Sequence, residues 1–183
     1  MRIVSGEFKG RRITAPKKLP VRPTTDMAKE SLFNILNNHY YFDDISVLDL
    51  FAGTGNISYE FASRGTQQIT CVDADYGCIK FINETAESFD MPIQTIKSDV
   101  FKFLENSNTK HTVIFADPPY DFPVEAFSKI PELVFKNNLL KPNGMLIVEH
   151  SKHTDISHLD HYSHSKSYGG NMFSFYKLPE ENE

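Results

Sequence analysis

From residue 46 onward, short apolar runs rich in β-branched and aromatic residues alternate with longer amphipathic stretches. The runs fall at 46–51, 69–73, 93–97, 112–117 and 144–149, and the helical stretches near 55–64, 77–89, 99–106 and 123–137. Intervals of this size suit βαβ crossovers, so the pattern predicts an α/β domain whose parallel sheet is covered on both faces. Pro131 falls inside the last helical stretch and predicts a kink there, or two shorter helices. Lys141-Pro142-Asn143-Gly144 reads as a turn into the fifth strand. Two further extended segments, about 158–166 and 172–178, flank Gly169-Gly170 and predict a closing antiparallel pair. The tail from Pro179 to Glu183 reads as frayed.

Ahead of this alternation the pattern is different. Extended runs at 2–5 and 11–15 surround Gly6-Glu7-Phe8-Lys9-Gly10 and predict a small β-hairpin. A linker punctuated by Pro16, Pro20 and Pro23 follows. Thr24 or Thr25 can then cap a helix to about Asn38, with Ala28, Leu32, Ile35 and Leu36 on one face. The chain therefore divides into a basic hairpin and linker, 1–23, and an α/β domain, 24–183. There is no internal repeat and no low-complexity tract.

The candidate chemistry sits where strands end. The first strand runs into Asp49-Leu50-Phe51-Ala52-Gly53-Thr54-Gly55-Asn56. Glycines two apart let the backbone turn tightly beside a ligand, with a helix N-terminus just beyond. A full dinucleotide fingerprint would carry a third glycine three residues after Gly55, where this chain has Ser58. A pyrophosphate fits this loop less well than a ligand bearing an amino acid and a nucleoside, and S-adenosylmethionine is such a ligand. Asp49 would attract its ammonium, with Phe51, Ala52, Gly53, Thr54 and Gly55 forming the loop around it. Asp73, with Ala74 beside it, ends the second strand where an acid can hold both ribose hydroxyls. Asp99, beside Val100, follows the third strand and can accept from an adenine amine. Singly, each aspartate reads as a helix cap or turn residue, but three acids at three successive strand ends outline a ligand edge.

The fourth strand ends in Asp117-Pro118-Pro119-Tyr120. The carboxylate, and a carbonyl freed by the rigid Pro-Pro turn, can each accept a hydrogen bond from an NH2 group, while the ring stacks on the planar group that carries it. With the glycine loop upstream, this points to methyl transfer onto an exocyclic amine. Nucleobase amines are weak nucleophiles because their lone pairs are delocalised. Hydrogen bonds from both N–H groups to Asp117 and the Pro118 carbonyl would turn the lone pair toward a methyl held on the loop, with no metal and no strong base.

Composition narrows the setting. The 183 residues suffice for one domain with a full core, and a 40% hydrophobic, 23% charged make-up is that of a soluble globular protein. No apolar run approaches a membrane span, the start lacks the apolar core of a signal peptide, and Cys71 and Cys78 suggest neither a disulfide framework nor a zinc site. A cytoplasmic monomer with reduced thiols is expected. The net charge of −5 is uneven. Residues 1–30 hold eight basic side chains against three acidic ones, leaving 11 basic and 21 acidic in the remainder. A basic front of this kind can bind phosphates while the acidic body limits non-specific adhesion, although a solvated segment would look the same. Five of the seven histidines (His150, His153, His158, His161, His164) crowd into one segment. Without accompanying cysteines in a turn-like context they read as a solvated loop rather than a metal site.

Together these residues resemble the bacterial methyltransferases that modify the N2 amine of one guanine in 16S ribosomal RNA. The resemblance spans nearly the whole chain: Arg2-Ile3-Val4-Ser5-Gly6 with Lys9-Gly10-Arg11, Arg22-Pro23-Thr24-Thr25-Asp26 leading to Lys29-Glu30-Ser31-Leu32-Phe33-Asn34-Ile35-Leu36, the glycine loop, Asp-Pro-Pro-Tyr and Tyr168-Gly169. The glycine loop and the Asp-Pro-Pro-Tyr motif are shared by many amine methyltransferases, and the Arg-Pro-Thr-Thr stretch is the more specific marker. The resemblance implies a Rossmann-like domain with a seven-stranded, mostly parallel sheet and an antiparallel last hairpin. It implies a hairpin that docks RNA, drawing on Lys9, Arg11, Arg12, Lys17, Lys18, Arg22, Thr24 and Thr25, and a wholly or partly assembled small ribosomal subunit as substrate. Lys29 stands where arginine is common in the family, and Asp73 where glutamate is common. Other amine methyltransferases, acting on DNA adenine or protein glutamine, share the chemistry. A non-catalytic ribosome-assembly factor on the same fold is the contrasting possibility.

Overall fold

A computed structural model of the chain describes residues 1–21 and 24–181. Within them, β1 (Ser46–Leu50), β2 (Gln68–Asp73), β3 (Ile93–Lys97), β4 (His111–Ala116) and β5 (Leu140–Ser151) pair in parallel, and β6 (Tyr162–Tyr168) and β7 (Asn171–Lys177) close the sheet in antiparallel fashion. The order across the sheet is β3-β2-β1-β4-β5-β7-β6. The helices are α1 (Asp26–Asn37), α2 (Asn56–Ser63), α3 (Tyr76–Phe89), α4 (Val100–Asn106) and α5 (Val124–Lys136). The α/β class, the parallel sheet and the antiparallel closing pair read from the sequence are all present. None of these helices is long and apolar enough to cross a membrane.

The sheet is central because β1 and β4 are buried at every position, which is why both read as mostly apolar runs without strict alternation. Successive strand residues point to opposite faces, so the two faces bury different residues. Val47, Cys71, Val113, Phe115 and Ile147 pack with Leu32 and Leu36 of α1, Phe61 of α2 and Ile82 of α3. Leu48, Leu50, Val72, Ile114 and Val148 pack with Leu104 of α4 and Ile130 and Val134 of α5. Edge strand β6 is mostly polar and carries Lys166, a composition that discourages pairing with another chain.

Three expectations need correction. The hairpin at 1–15 narrows to a single bridge, Arg2 with Arg12, flanked by Ile3 N–H donating to the Arg11 carbonyl (2.9 Å) and Ile13 N–H to Met1 (2.9 Å). The pairing stops there because Val4 N–H turns to the Glu60 carboxylate instead, at 2.9 and 3.1 Å. Lys141-Pro142-Asn143-Gly144 does not precede β5 but lies inside it. His111 pairs with Leu140 and Val113 with Met145, so the extra residues bulge out, helped by the left-handed Asn143 (φ 63°). Finally, α5 is one helix through Pro131 rather than two shorter ones, and the proline is buried with Phe127, Ile130 and Val134. Burial of that face outweighs the hydrogen bond the proline forgoes.

The N-terminal arm is packed onto the domain. Ile3 and Ile13 are buried in the α1–α3 side of the core. Gly6 (φ +88°) lies so close to the end of α2 that an added Cβ would sit 2.0 Å from the Ser63 carbonyl oxygen. Lys29, 1% exposed on α1, donates to the Arg2 carbonyl and to Asn56 Oδ1 (2.9 Å), and Asn56 Nδ2 donates to the Thr24 carbonyl (3.1 Å). One buried ammonium thus ties the arm, α1 and the start of α2 together. Arg22 and Pro23 lie outside the described residues.

Candidate active site

Strand order reverses between β1 and β4, because β2 and β3 extend one way from β1 and β4 and β5 the other. Ligands in open α/β sheets bind at the carboxyl ends of the strands where this happens. Leu50 pairs with Ala116, so the next residues, Phe51 and Asp117, leave the sheet side by side on strands about 5 Å apart. A cleft of about 880 Å³ opens above them.

The cleft gathers nearly the whole set read from the sequence. Asp49, Phe51, Ala52, Gly53, Thr54, Asp73, Ala74, Asp99 and Val100 line it, and so do all four residues of Asp117-Pro118-Pro119-Tyr120. Gly55 does not line it; its left-handed backbone (φ 85°) is the N-cap of α2. A Cβ there would meet the Tyr59 ring at 2.7 Å, so glycine is required both by the backbone angle and by the packing behind the loop.

The acids differ in their surroundings. Asp49 is 2% exposed and accepts the Ser58 hydroxyl at 2.7 Å. Burial pushes its carboxyl up to about 7, opposed by the Ser58 hydrogen bond. Asp73 accepts from Gly53 N–H (2.9 Å) through one oxygen and Asp75 N–H (2.8 Å) through the other, which fixes the glycine loop against the end of β2. Burial raises its carboxyl too, while those two N–H groups hold it down. Asp99 accepts from Lys102 N–H (3.0 Å) as the cap of α4, so the helix-cap reading holds for it while it also faces the cleft. A buried anion for an ammonium, a fixed carboxylate for a diol and an acceptor for an amine fit an amino acid joined to a nucleoside. Pro118 is buried and Tyr120 is 58% exposed at the rim.

Several cleft residues escaped the sequence reading. Asp75 caps α3 by accepting from Cys78 N–H (2.9 Å). Glu149 and Asn171 line the far wall from β5 and β7. Glu149 ends an apolar run at a strand's carboxyl side, the same signal that marked Asp73 and Asp117, and could have been found by it. Asn171 begins a strand after a turn and carries no such signal. Thr24 lines the cleft and donates to Glu149 (2.9 Å), while Thr25 caps α1 by accepting from Ala28 N–H (3.2 Å). Both hydroxyls assigned to RNA are therefore engaged within the fold. Lys9, Arg11, Arg12, Lys17 and Lys18 are exposed, and Lys17 and Lys18 directly precede Leu19, Pro20 and Val21 at the cleft wall.

The histidines are scattered. His150 is buried and bonded to Ser174 Oγ (2.7 Å), His161 stacks on Phe135 at 4.0 Å, and His164 stacks on Phe175 at 4.5 Å. Among the described residues no three His, Cys, Asp or Glu side chains group as metal ligands would.

The sequence profile of a family described as Conserved hypothetical protein 95 matches residues 1–177. The chain belongs to this family. It is 32% identical over 161 residues to the protein named Putative rRNA methyltransferase YlbH of Bacillus subtilis, covering 85% of each chain. It is 31% identical over 150 residues to Ribosomal RNA small subunit methyltransferase D of Escherichia coli K12, covering 81% of this chain and 71% of that one. A solved structure, Putative methyltransferase yhhF from Escherichia coli, matches with a TM-score of 0.84 at 27% identity over 96% of both chains. The family is the one that the Arg-Pro-Thr-Thr and Asp-Pro-Pro-Tyr motifs resemble, and the seven-stranded sheet is the class I methyltransferase fold.

Proposed function

We propose that this protein transfers a methyl group from S-adenosylmethionine to the N2 amine of one guanine in 16S ribosomal RNA of the small ribosomal subunit. The observation that carries this reading is the shared cleft: the glycine loop after β1 and the Asp-Pro-Pro-Tyr turn after β4 open into one space. The relatives named for ribosomal RNA methylation support the substrate class. When bound, S-adenosylmethionine supplies an electrophilic methyl group whose sulfonium leaves as a neutral thioether.

The residues of this chain do the positioning. Asp49, Asp73 and Asp99 hold the ammonium, ribose and adenine ends, with Phe51, Ala52, Gly53, Thr54, Ala74 and Val100 as walls. Tyr120 stacks on a guanine extruded from its RNA helix or loop. Asp117 and the Pro118 carbonyl accept the two N2 hydrogens, which aims the nitrogen lone pair at the methyl carbon. As the new C–N bond forms, the amine sheds one proton, which Asp117 is placed to accept and pass to water. Six carboxylates line the cleft, so it repels phosphate and admits the base alone. The RNA backbone lies instead along the basic arm, residues 1–23, through Lys9, Arg11, Arg12, Lys17 and Lys18, with Arg22 beyond the described residues. The chain acts as a cytoplasmic monomer.

The test is to incubate the protein with methyl-labelled S-adenosylmethionine and small subunits from cells lacking it, then identify the labelled nucleoside by mass spectrometry. Label in N2-methylguanosine at one site supports the reading. Label in methyladenosine, or in protein only, overturns it.

A further inference from the structure

Tyr120 is more than half exposed, and an exposed ring on a loop needs an anchor to present one face reproducibly. Its hydroxyl has one on the opposite wall of the cleft, donating to Asn171 Oδ1 at 3.0 Å. Asn171, the first residue of β7, uses its other amide atom as well: Nδ2 donates to Glu149 Oε1 at 3.2 Å. Glu149 is 3% exposed on β5, and its second oxygen accepts the Thr24 hydroxyl at 2.9 Å. The direction of these bonds is the point. The Glu149 carboxylate accepts at both oxygens, so it draws the NH2 of Asn171 toward itself. The amide is then committed, its oxygen faces the cleft, and Tyr120 finds an acceptor in a fixed place. The strands holding the two residues are rigidly registered, with Glu149 opposite Phe173 and Ser151 opposite Asn171.

We infer that Glu149 and Asn171 are positioning residues for the methyl transfer: they form a relay, Thr24–Glu149–Asn171–Tyr120, that sets the angle of the stacking ring from the far side of the cleft. Neither touches the reacting atoms; Glu149 acts through Asn171, and Asn171 through the tyrosine hydroxyl. The relay also ends at Thr24, directly after the basic arm, so the arm and the stacking ring share one hydrogen-bonded chain. This inference rests on the reading of the cleft as the site of methyl transfer.

A double-mutant cycle tests it with the full chain, methyl-labelled S-adenosylmethionine and unmodified small subunits. Glu149→Gln keeps the shape but lets either amide turn, and should lower kcat roughly tenfold, with the KM for S-adenosylmethionine unchanged. Tyr120→Phe keeps the ring and removes the anchored hydroxyl, and should give a similar loss. If the relay exists, Glu149→Gln added to Tyr120→Phe costs nothing further. Asn171→Ala, at the partly exposed start of β7, should repeat the pattern and serves if Glu149→Gln does not fold. Losses that multiply in the double variant, or wild-type kcat in both Glu149→Gln and Asn171→Ala, overturn the relay while leaving the function standing. A wild-type protein that transfers no label to RNA overturns the reading beneath it.

Discussion

Asp49 carries a conflict that evolution of a binding site creates and folding must tolerate. Buried beside Ser58, its carboxyl is raised from the ordinary 3.8 to about 7. A raised carboxyl means that the folded state holds a proton the unfolded chain has lost between those two values. Stability therefore falls as pH rises through that window, and the cost is full above pH 7. Asp49→Asn keeps an acceptor for Ser58 and removes the charge. It should stabilise the free protein above pH 7 by roughly 2–4 kcal/mol in denaturant unfolding, with the gain gone below about pH 4. The same change should abolish tight cofactor binding. In the wild type, affinity for S-adenosylmethionine measured by calorimetry should rise as pH approaches about 7, because the ammonium needs the ionised acid. A flat profile would remove Asp49 from the ammonium site. Asp117→Ala should behave in the opposite way: cofactor affinity nearly unchanged, methyl transfer lost. Turnover close to wild type in that variant would refute the assigned role.

At the scale of elements, what could be read from the sequence and what could not follow one division. Strands β1 to β4 were legible to within a residue or two because each is a short run of mostly apolar or β-branched residues between helix-length stretches. The start of α1 was legible because Thr25 is a good cap next to an apolar-periodic stretch. The bulge in β5 was not: Pro142-Asn143-Gly144 carries turn chemistry, and only the pairing with β4 and the Tyr40 hydroxyl donating to the Asn143 carbonyl (2.6 Å) keep it in the sheet. Pro131 left two short helices open where there is one, since tertiary burial overrode a local preference. In the site, the acids at strand ends could be seen one by one, but the contact of Thr24 with Glu149 spans 125 positions and has no local signature. Lys29 is a similar case, a buried cation whose partners lie on the arm and on α2. Lys29→Met should leave the Arg2 carbonyl and Asn56 Oδ1 without their donor and destabilise the protein by roughly 2–3 kcal/mol. It should also loosen the arm, seen as faster hydrogen exchange at Ile3 and Ile13. Unchanged exchange there would mean that the apolar contacts of those two residues hold the arm by themselves.

The molecule as a whole separates its charges: a basic front of 30 residues and an acidic remainder, six of whose 21 carboxylates line the cleft. In the proposed reading, phosphate binding and cofactor binding fall to different surfaces. Neutralising Arg11, Arg12, Lys17 and Lys18 together should weaken small-subunit binding and flatten its log–log salt dependence by about 3, with cofactor affinity unaffected. An unchanged slope would place the RNA surface elsewhere. The whole account depends on donor and acceptor meeting between β1 and β4. The most direct measurement is a crystal structure with S-adenosylhomocysteine and guanosine bound together. The account predicts the thioether sulfur over Gly53, the guanine ring against Tyr120 and its N2 amine between them, bonded to Asp117. A nucleoside bound away from Asp117, or a sulfur turned from the proline turn, would contradict it.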